Sequence, residues 1–135
     1  MITKYIATYI ATLLIFLVID GIWLGLVARG FYVQQLGSLL RPSPNFGAAG
    51  LFYALYVMGI LVFVIFPALN HGTWITAVLY GALFGLIAYA TYDLTNLATL
   101  QGWPTVMSVV DMIWGAMLTA TVAAAGYFAA RIICN

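Results

Sequence analysis

The sequence predicts an all-α membrane protein, a four-transmembrane-helix bundle with a short amphipathic interfacial segment between helices 1 and 2. Hydrophobic residues make up 66% of the 135 residues, and the mean hydropathy is +1.13. Only 5% of the residues are charged, whereas soluble domains carry about 25%. Four apolar stretches each reach the roughly 20 residues that a membrane-spanning helix needs. We therefore predict a single membrane domain covering residues 1–135.

The predicted spans cover about residues 4–28, 48–69, 73–98 and 105–131. The first span begins at Lys4 and has no charge from Tyr5 to Ile19. We expect it to be a retained helix and not a signal peptide, because its apolar run lacks a small-residue cleavage site. Only the turn Asn70-His71-Gly72 joins the second span to the third, which predicts an antiparallel pair.

The link between the first two spans is long and carries Pro42 and Pro44. Within it, apolar residues fall at helical spacing, opposite a polar face. The apolar positions are Tyr32, Leu36, Leu39 and Leu40, and the polar ones are Gln34, Gln35, Ser38 and Arg41. This pattern predicts a short helix in the headgroup plane that forms a lid. An irregular loop with scattered apolar residues stays open as the alternative.

An even number of spans places both termini on one side of the membrane. That side carries Lys4 and Arg131, and the other side carries Arg29 and Arg41. Because the two sides are equal in Lys and Arg, the positive-inside rule does not choose an orientation. The free amino terminus and the single Cys134 favour termini in the cytoplasm.

The composition also restricts the partners. The net charge is only +1, and no basic cluster is present to neutralise phosphates, so we expect no nucleic-acid partner. One cysteine allows neither a disulfide framework nor a thiolate metal site. The partners that we expect are membrane lipids and further copies of the same chain in a homo-oligomer.

The only acidic side chains are Asp20, Asp93 and Asp111. Each lies near the end of its span that is remote from the termini. At 1.5 Å per residue, each should lie about 10–14 Å below the same membrane face. His71 lies at the opposite surface and cannot be their partner. Three carboxyl groups in a poorly solvated space cannot all ionise, so at least one should hold a proton near neutral pH.

Each acid has an aromatic residue three or four positions away on the same helical face, and Thr95 adds a neutral polar group. We predict a common acidic and aromatic pocket. Its predicted ligand- and proton-binding residues are Asp20, Asp93, Asp111, Asn96, Trp23, Trp114, Tyr89 and Tyr92.

Asp93 is the predicted titrating group, because the third span is rich in Ala, Gly, Thr and Tyr and is poorly suited to face lipid. We therefore expect this span to be an interior helix. Its Gly81 and Gly85 have the GxxxG spacing that favours close helix packing. The fourth span repeats small residues at Gly115, Thr119 and Ala123.

Three functions remain open on these residues. A carboxylate with aromatic walls attracts an organic cation, so the first is proton-sensitive binding of a cation or polar amphiphile, with transport as one use. The second is a membrane enzyme in which paired Asp residues act as acid and base on a lipid or isoprenoid. The third is a structural or regulatory subunit in which the acids hold helices together. The sequence names no cofactor and no catalytic residue.

We assign no metal ligands. The three acids and Asn96 could bind Ca²⁺ or Mg²⁺ only if waters supplied the rest of the six or more oxygens that these ions take. No His and Cys set suits zinc.

Five segments carry a resemblance to a family. They are IDGIWLG, FYVQQLG, FYALYVMG, GALFGLIAYATYDLTNLATLQGWP and VVDMIWG. Over nearly its full length the chain resembles a bacterial family of small four-span integral membrane proteins that carries a domain-of-unknown-function label, with YDLTNLAT the most specific segment. The resemblance implies a four-helix fold in a bacterial inner membrane, and it implies no activity.

Overall fold

A computed structural model describes all residues, 1–135, and contains helices and turns without any strand. The α-helices are α1 (Ile2–Ile22), α2 (Arg29–Leu36), α3 (Phe46–Ile60), α4 (Phe66–His71), α5 (Trp74–Thr99) and α6 (Thr105–Cys134). A π-helical turn, Trp23–Val27, extends α1, and a second one, Leu61–Ile65, joins α3 to α4. A 3-10 turn, Gly37–Leu39, follows α2.

Four continuous helical stretches are long and apolar enough to cross a membrane. They are Ile2–Val27, Phe46–His71, Trp74–Thr99 and Thr105–Cys134. Each predicted span lies within or close to one of them. The predicted fold class, an all-α four-span bundle, is therefore confirmed.

The reversal between the second and third spans is tight, as predicted. The Thr73 hydroxyl accepts a hydrogen bond from the Ile75 backbone N–H at 3.2 Å, and the Thr76 hydroxyl accepts one from the Thr73 N–H at 3.1 Å. Such a reciprocal cap satisfies backbone donors that the first turn of α5 would otherwise leave free.

The central helix is α6, and the expectation that the third span is the interior helix is wrong. α6 packs against both α1 and α5, and it has more buried residues than any other helix. α5 buries only four residues: Ala77, Gly81, Gly85 and Asp93. Its small residues do not place it inside the bundle. They form one narrow stripe against α6, while Leu, Ile and Tyr side chains cover its outer face.

The predicted close packing of the third and fourth spans is confirmed. A Cβ added to Gly81 would lie 2.9 Å from the Thr119 carbonyl oxygen, and one added to Gly85 would collide with the carbonyl oxygen of Gly115. Because both obstacles are backbone atoms, only glycine allows the two helices to approach this closely.

α3 packs on α1 but stands apart from α5 and α6, which the chain reaches at the turn Leu61–Ile65. Tyr56 crosses the gap: its hydroxyl lies 2.6 Å from the Thr119 hydroxyl, and its ring stacks on Phe84 with 5.4 Å between centroids. The bundle is therefore tightly packed near the termini and open at the other end.

The link from α1 to α3 contains the predicted short helix, α2. Tyr32 and Leu36 lie on its inward side, and Leu40 follows the 3-10 turn. Leu39, which the helical spacing groups with them, is half exposed because the 3-10 turn departs from α-helical spacing.

Candidate functional site

A cavity of about 550 Å³ occupies the open end of the bundle, beneath α2. Helices α1, α2, α3, α5 and α6 all contribute to its wall. The lining residues are Asp20, Leu24, Tyr32, Leu36, Leu40, Phe52, Tyr53, Ala88, Tyr89, Tyr92, Met107, Asp111 and Trp114. No Lys, Arg or His side chain is among them.

The acids lie at one level along the helices. Asp20 lies seven residues before the end of its span at Val27, and Asp93 lies six residues before Thr99. Asp111 lies six residues after Thr105. Because these three helix ends are on the same side of the bundle, each carboxyl group is about 10 Å from that end of its helix.

Asp20 is held by donors from two other helices. The Tyr53 hydroxyl donates to Asp20 Oδ2 at 2.9 Å, and the Trp114 Nε1–H donates to Oδ1 at 3.2 Å. Both carboxyl oxygens therefore have a partner inside the protein. This arrangement ties α1 to α3 and α6.

Asp111 receives a single donor, and that donor comes from α2. The Tyr32 hydroxyl donates to Asp111 Oδ1 at 2.7 Å and accepts from the Trp23 Nε1–H at 3.2 Å. Burial, together with the neighbouring Asp111 carboxylate, raises the pKa of the Tyr32 hydroxyl. Tyr32 therefore keeps its proton and remains a donor at neutral pH.

Asp111 lines the cavity and is 9% exposed. Its second oxygen, Oδ2, accepts no hydrogen bond from a donor group of the protein. It is an unpaired acceptor among aromatic rings.

Asp93 lies behind this wall. Its side chain is 0% exposed, and neither carboxyl oxygen has a hydrogen-bond partner. The Asp111 carboxyl group is its acidic neighbour and lies within hydrogen-bonding reach, so that a single proton can join the two carboxyl groups. The structure thus gives the three acids different surroundings: Asp20 is fully bonded, Asp111 is half free, and Asp93 is sealed.

Over residues 5–128, the chain matches the model of a family described as "Predicted membrane protein (DUF2177)". The chain belongs to this family. The resemblance inferred from the sequence segments is thereby confirmed. No curated protein matches the chain, and no solved structure does. The family description agrees with the four helical stretches that are long and apolar enough to span a membrane.

Five of the eight residues predicted for the pocket line the cavity in this family member: Asp20, Asp111, Trp114, Tyr89 and Tyr92. The other three do not. Asp93 is sealed behind the wall. Trp23 lies outside the lining but stacks on Trp114, with 4.2 Å between ring centroids. Asn96 is half-buried, is not part of the wall and makes no side-chain hydrogen bond to the protein.

Thr95 does not serve the cavity either. Its hydroxyl donates to the backbone carbonyls of Thr91 and Tyr92 within α5. Such back-bonding satisfies a hydroxyl in an apolar helix without a partner from another element.

Sequence reasoning missed Tyr53 and missed the donor role of Tyr32. A signal for Tyr53 was present, because a tyrosine hydroxyl inside a membrane span needs a hydrogen-bond partner and an acid in another span is a suitable one. For Tyr32, the helical spacing places the ring on an apolar face and carries no information about its hydroxyl.

The three carboxyl groups do not converge tightly enough to hold a metal ion together. Two of them also have different surroundings. Both Asp20 oxygens accept hydrogen bonds, from Tyr53 and Trp114, whereas Asp111 has one oxygen without a donor and lines the cavity.

Proposed function

We propose that this membrane protein binds an organic cation with an apolar body in the cavity beneath α2, and that protons compete with the cation. The observation that carries the proposal is the unpaired Asp111 Oδ2 in an aromatic cavity that has no basic side chain. A buried carboxylate without a counter-charge is costly in a membrane protein. A cationic ligand would offset that cost.

The walls suit the rest of such a ligand. Tyr89, Tyr92 and Trp114 present aromatic rings to the cavity. The faces of such rings attract a cation within about 6 Å, and the attraction grows when water is excluded. A neutral ligand of the same shape would keep the apolar contacts, but it would lose the attraction to the Asp111 carboxylate and the attraction to the aromatic rings.

Proton sensitivity follows from the groups that face Asp111. They are Tyr32 from α2, Asp20 from α1, and Asp93, Tyr89 and Tyr92 from α5. Neither neighbouring acid can donate a hydrogen bond unless it holds a proton, and a proton shared by Asp93 and Asp111 would supply the donor that Asp93 lacks. A proton on Asp111 cancels the charge that attracts the cation. Affinity should therefore fall as pH falls.

The test is a binding titration with the purified protein in lipid nanodiscs, using methyltriphenylphosphonium as the cation and triphenylphosphine oxide as its neutral counterpart. Tryptophan fluorescence reports binding because Trp114 lines the cavity. We expect the cation to bind about tenfold or more tightly than the neutral compound. Lowering the pH should weaken binding of the cation and leave binding of the neutral compound unchanged.

The variant Asp111→Asn should bind both compounds equally weakly, and Asp111→Glu should retain the preference for the cation. Equal binding of the two compounds by the wild-type protein would contradict the proposal. So would a cation preference that survives in Asp111→Asn.

A structural role is the second function that a specific observation favours, and it concerns Asp20. Its two hydrogen bonds, from Tyr53 and Trp114, tie three helices together. If Asp20→Asn and Asp111→Asn both lower the melting temperature and neither changes cation binding, the acids only hold the bundle together. A change of affinity in Asp111→Asn alone supports the binding function.

We also infer that the protein lies in a bacterial inner membrane with both termini in the cytoplasm. Lys and Arg are equal on the two sides, with Lys4 and Arg131 on one and Arg29 and Arg41 on the other. The orientation therefore rests on Cys134, an exposed free thiol on the terminal side, which suits the reducing cytoplasm. A fluorescent protein fused to the C-terminus should be fluorescent in bacterial cells, and an alkaline phosphatase fusion there should be inactive. The opposite pair of results would reverse the orientation.

If the bound cation is transported, we expect two copies of the chain to act together. Four spans leave no room for the two structural repeats that most secondary transporters use. Release of the cation from sealed liposomes in exchange for protons would support transport. Saturable binding without any flux would restrict the protein to binding.

A further inference from the structure

Building on the proposed function, we propose that the ligand of the cavity is a membrane-borne, long-chain primary amine that enters sideways from the lipid between α3 and α5. The cationic head would meet Asp111, and the hydrocarbon chain would extend through the mouth into the bilayer. Three independent features of the cavity support this class of ligand.

The first feature is the position of the mouth. α3 stands apart from α5 along the open half of the bundle. Phe52 on α3 and Tyr92 on α5 both line the cavity and are 45% and 56% exposed on the outer surface. Phe52 lies six residues into its span, and Tyr92 lies seven residues before the end of its own. These residues are therefore at the depth of the acids, where hydrocarbon surrounds the protein.

The second feature is the roof. Tyr32 and Leu36 from α2, with Leu40 just beyond it, cover the end of the cavity that faces the membrane surface. The Tyr32 hydroxyl is bonded to Asp111 from this side. A solute coming straight from water would have to displace the roof, whereas an amphiphile already in the bilayer needs only the lateral mouth.

The third feature is the separation of polar from apolar atoms inside the cavity. The hydrogen-bonding groups belong to Asp20, Tyr53, Trp114, Tyr32 and Asp111. The remaining wall is apolar and includes Leu24, Leu36, Phe52, Ala88 and Met107. A ligand that fits both parts has one small polar head and a hydrocarbon chain.

The head group is specified by the free Asp111 Oδ2. An unpaired carboxylate oxygen is best satisfied by a cation that also donates a hydrogen bond, because charge-assisted hydrogen bonds are the strong ones. A primary ammonium group has N–H donors, and a quaternary ammonium group has none. The geometry therefore favours a primary amine over its trimethylated form.

The experiment uses the full chain in lipid nanodiscs and a long-chain primary amine with a photoreactive diazirine on its chain. After illumination, mass spectrometry identifies the labelled residues. We expect labels at the mouth and on the apolar wall. An excess of unlabelled long-chain primary amine should reduce them by about tenfold, whereas a long-chain alcohol, a long-chain trimethylammonium compound or propylamine should reduce them much less.

Entry through the mouth is tested by Ala88→Trp, which places a large ring on the wall between α3 and α5. The matched control is Ile87→Trp, one residue earlier on α5, where the side chain is exposed on the outer surface. Ala88→Trp should lower specific labelling about fivefold or more, and Ile87→Trp should leave it unchanged. Thermal unfolding of both variants checks that the bundle is intact.

The outcomes separate this inference from the proposed function. If propylamine competes as well as the long-chain amine, or if Ala88→Trp is labelled normally, the inference that a long-chain amphiphile enters from the lipid is wrong, while the proposal of cation binding stands. If the trimethylated compound competes as well as the primary amine, the inference of a hydrogen bond from the head group to Asp111 is wrong. If the long-chain alcohol competes as well as the amine and Asp111→Asn labels normally, the proposed function itself fails.

Discussion

The two halves of the bundle differ in one respect: carboxyl groups accept hydrogen bonds from side chains only in the half that holds the cavity. In the half near the termini, the acceptors are backbone carbonyls. Thr8 donates to Lys4 O, Thr12 donates to Thr8 O, and Tyr9 donates to Ala54 O, each at 2.8 Å. In the half that holds the cavity, Tyr32, Tyr53 and Trp114 donate to carboxyl oxygens, while threonine and serine hydroxyls there donate to backbone carbonyls of their own helices.

This difference matters because a backbone carbonyl does not gain a proton as the pH falls, whereas a carboxylate does. The terminal half should therefore be a fixed frame. The cavity half has a hydrogen-bond network that a proton or a cation can rearrange. The same chain thus combines a fixed frame near the termini with a cavity whose hydrogen bonds depend on pH.

The largest effect that we expect comes from breaking the frame. In Gly85→Leu, the new Cβ would collide with the Gly115 carbonyl oxygen and the Thr119 side chain. Moving backbone is costly, so the free energy of unfolding should fall by about 3 kcal/mol or more. Thermal or detergent unfolding of the purified protein measures it.

The control is Gly21→Leu on α1, where nothing lies within 4 Å of an added Cβ. Its stability should stay close to that of the wild-type protein. Equal stability of the two variants would mean that α5 and α6 are not packed as closely as the structure has them.

The second effect comes from Asp20, the fully bonded acid. Asp20→Ala leaves the Tyr53 hydroxyl and the Trp114 Nε1–H without their acceptor. Each unsatisfied buried donor costs about 1–3 kcal/mol. We expect a loss of about 2 kcal/mol in unfolding free energy, toward the lower end because membrane hydrogen bonds are weak on average.

The double variant Asp20→Ala with Tyr53→Phe should lose less than the sum of the two single variants, because one donor is then absent as well. Strict additivity would show that the Tyr53 bond does not stabilise the bundle.

The four spans and their ends could be predicted because a bilayer sets one strict requirement, a long apolar helix, which each span meets. Which helix is central could not be predicted in this way. The small residues of α5 were expected to place it inside the bundle, but a stripe of Gly81 and Gly85 serves one close contact as well as several. The composition of a helix shows which of its faces can pack closely, but the position of a helix in the bundle depends on how many other helices pack against it.

The shared depth of the acids could be predicted, since depth follows from counting residues along helices of known direction. Their different surroundings could not. Whether Asp93 is sealed or faces the cavity depends on the rotation of α5 about its own axis, which a nearly uniform apolar composition does not fix. For the same reason Asn96, three residues after Asp93, was expected at the pocket and lies off its wall.

The third effect has the opposite sign and contrasts Asp93 with Asp20. Neither oxygen of Asp93 has a partner, so Asp93→Leu removes a buried polar group without orphaning a donor. Replacement of such a group by an apolar residue of similar size is often neutral or stabilising. We expect a gain of about 1 kcal/mol in unfolding free energy, measured under the same conditions as Asp20→Ala. A loss would mean that Asp93 makes a stabilising hydrogen bond, such as one through a proton shared with Asp111.

The smallest effect tests most directly whether hydrogen bonds in the two halves respond differently to pH. Tyr32→Phe removes a donor to a carboxylate, and Tyr9→Phe removes a donor to the Ala54 carbonyl. Each should lower the unfolding free energy by about 0.6 kcal/mol at neutral pH, the average for a hydrogen bond inside a membrane protein. On acidification, the loss in Tyr32→Phe should shrink, because a protonated Asp111 is a weaker acceptor for the wild-type phenol. The loss in Tyr9→Phe should stay constant. If both losses are independent of pH, the cavity half is as fixed as the frame, and the carboxylates act only as anchors.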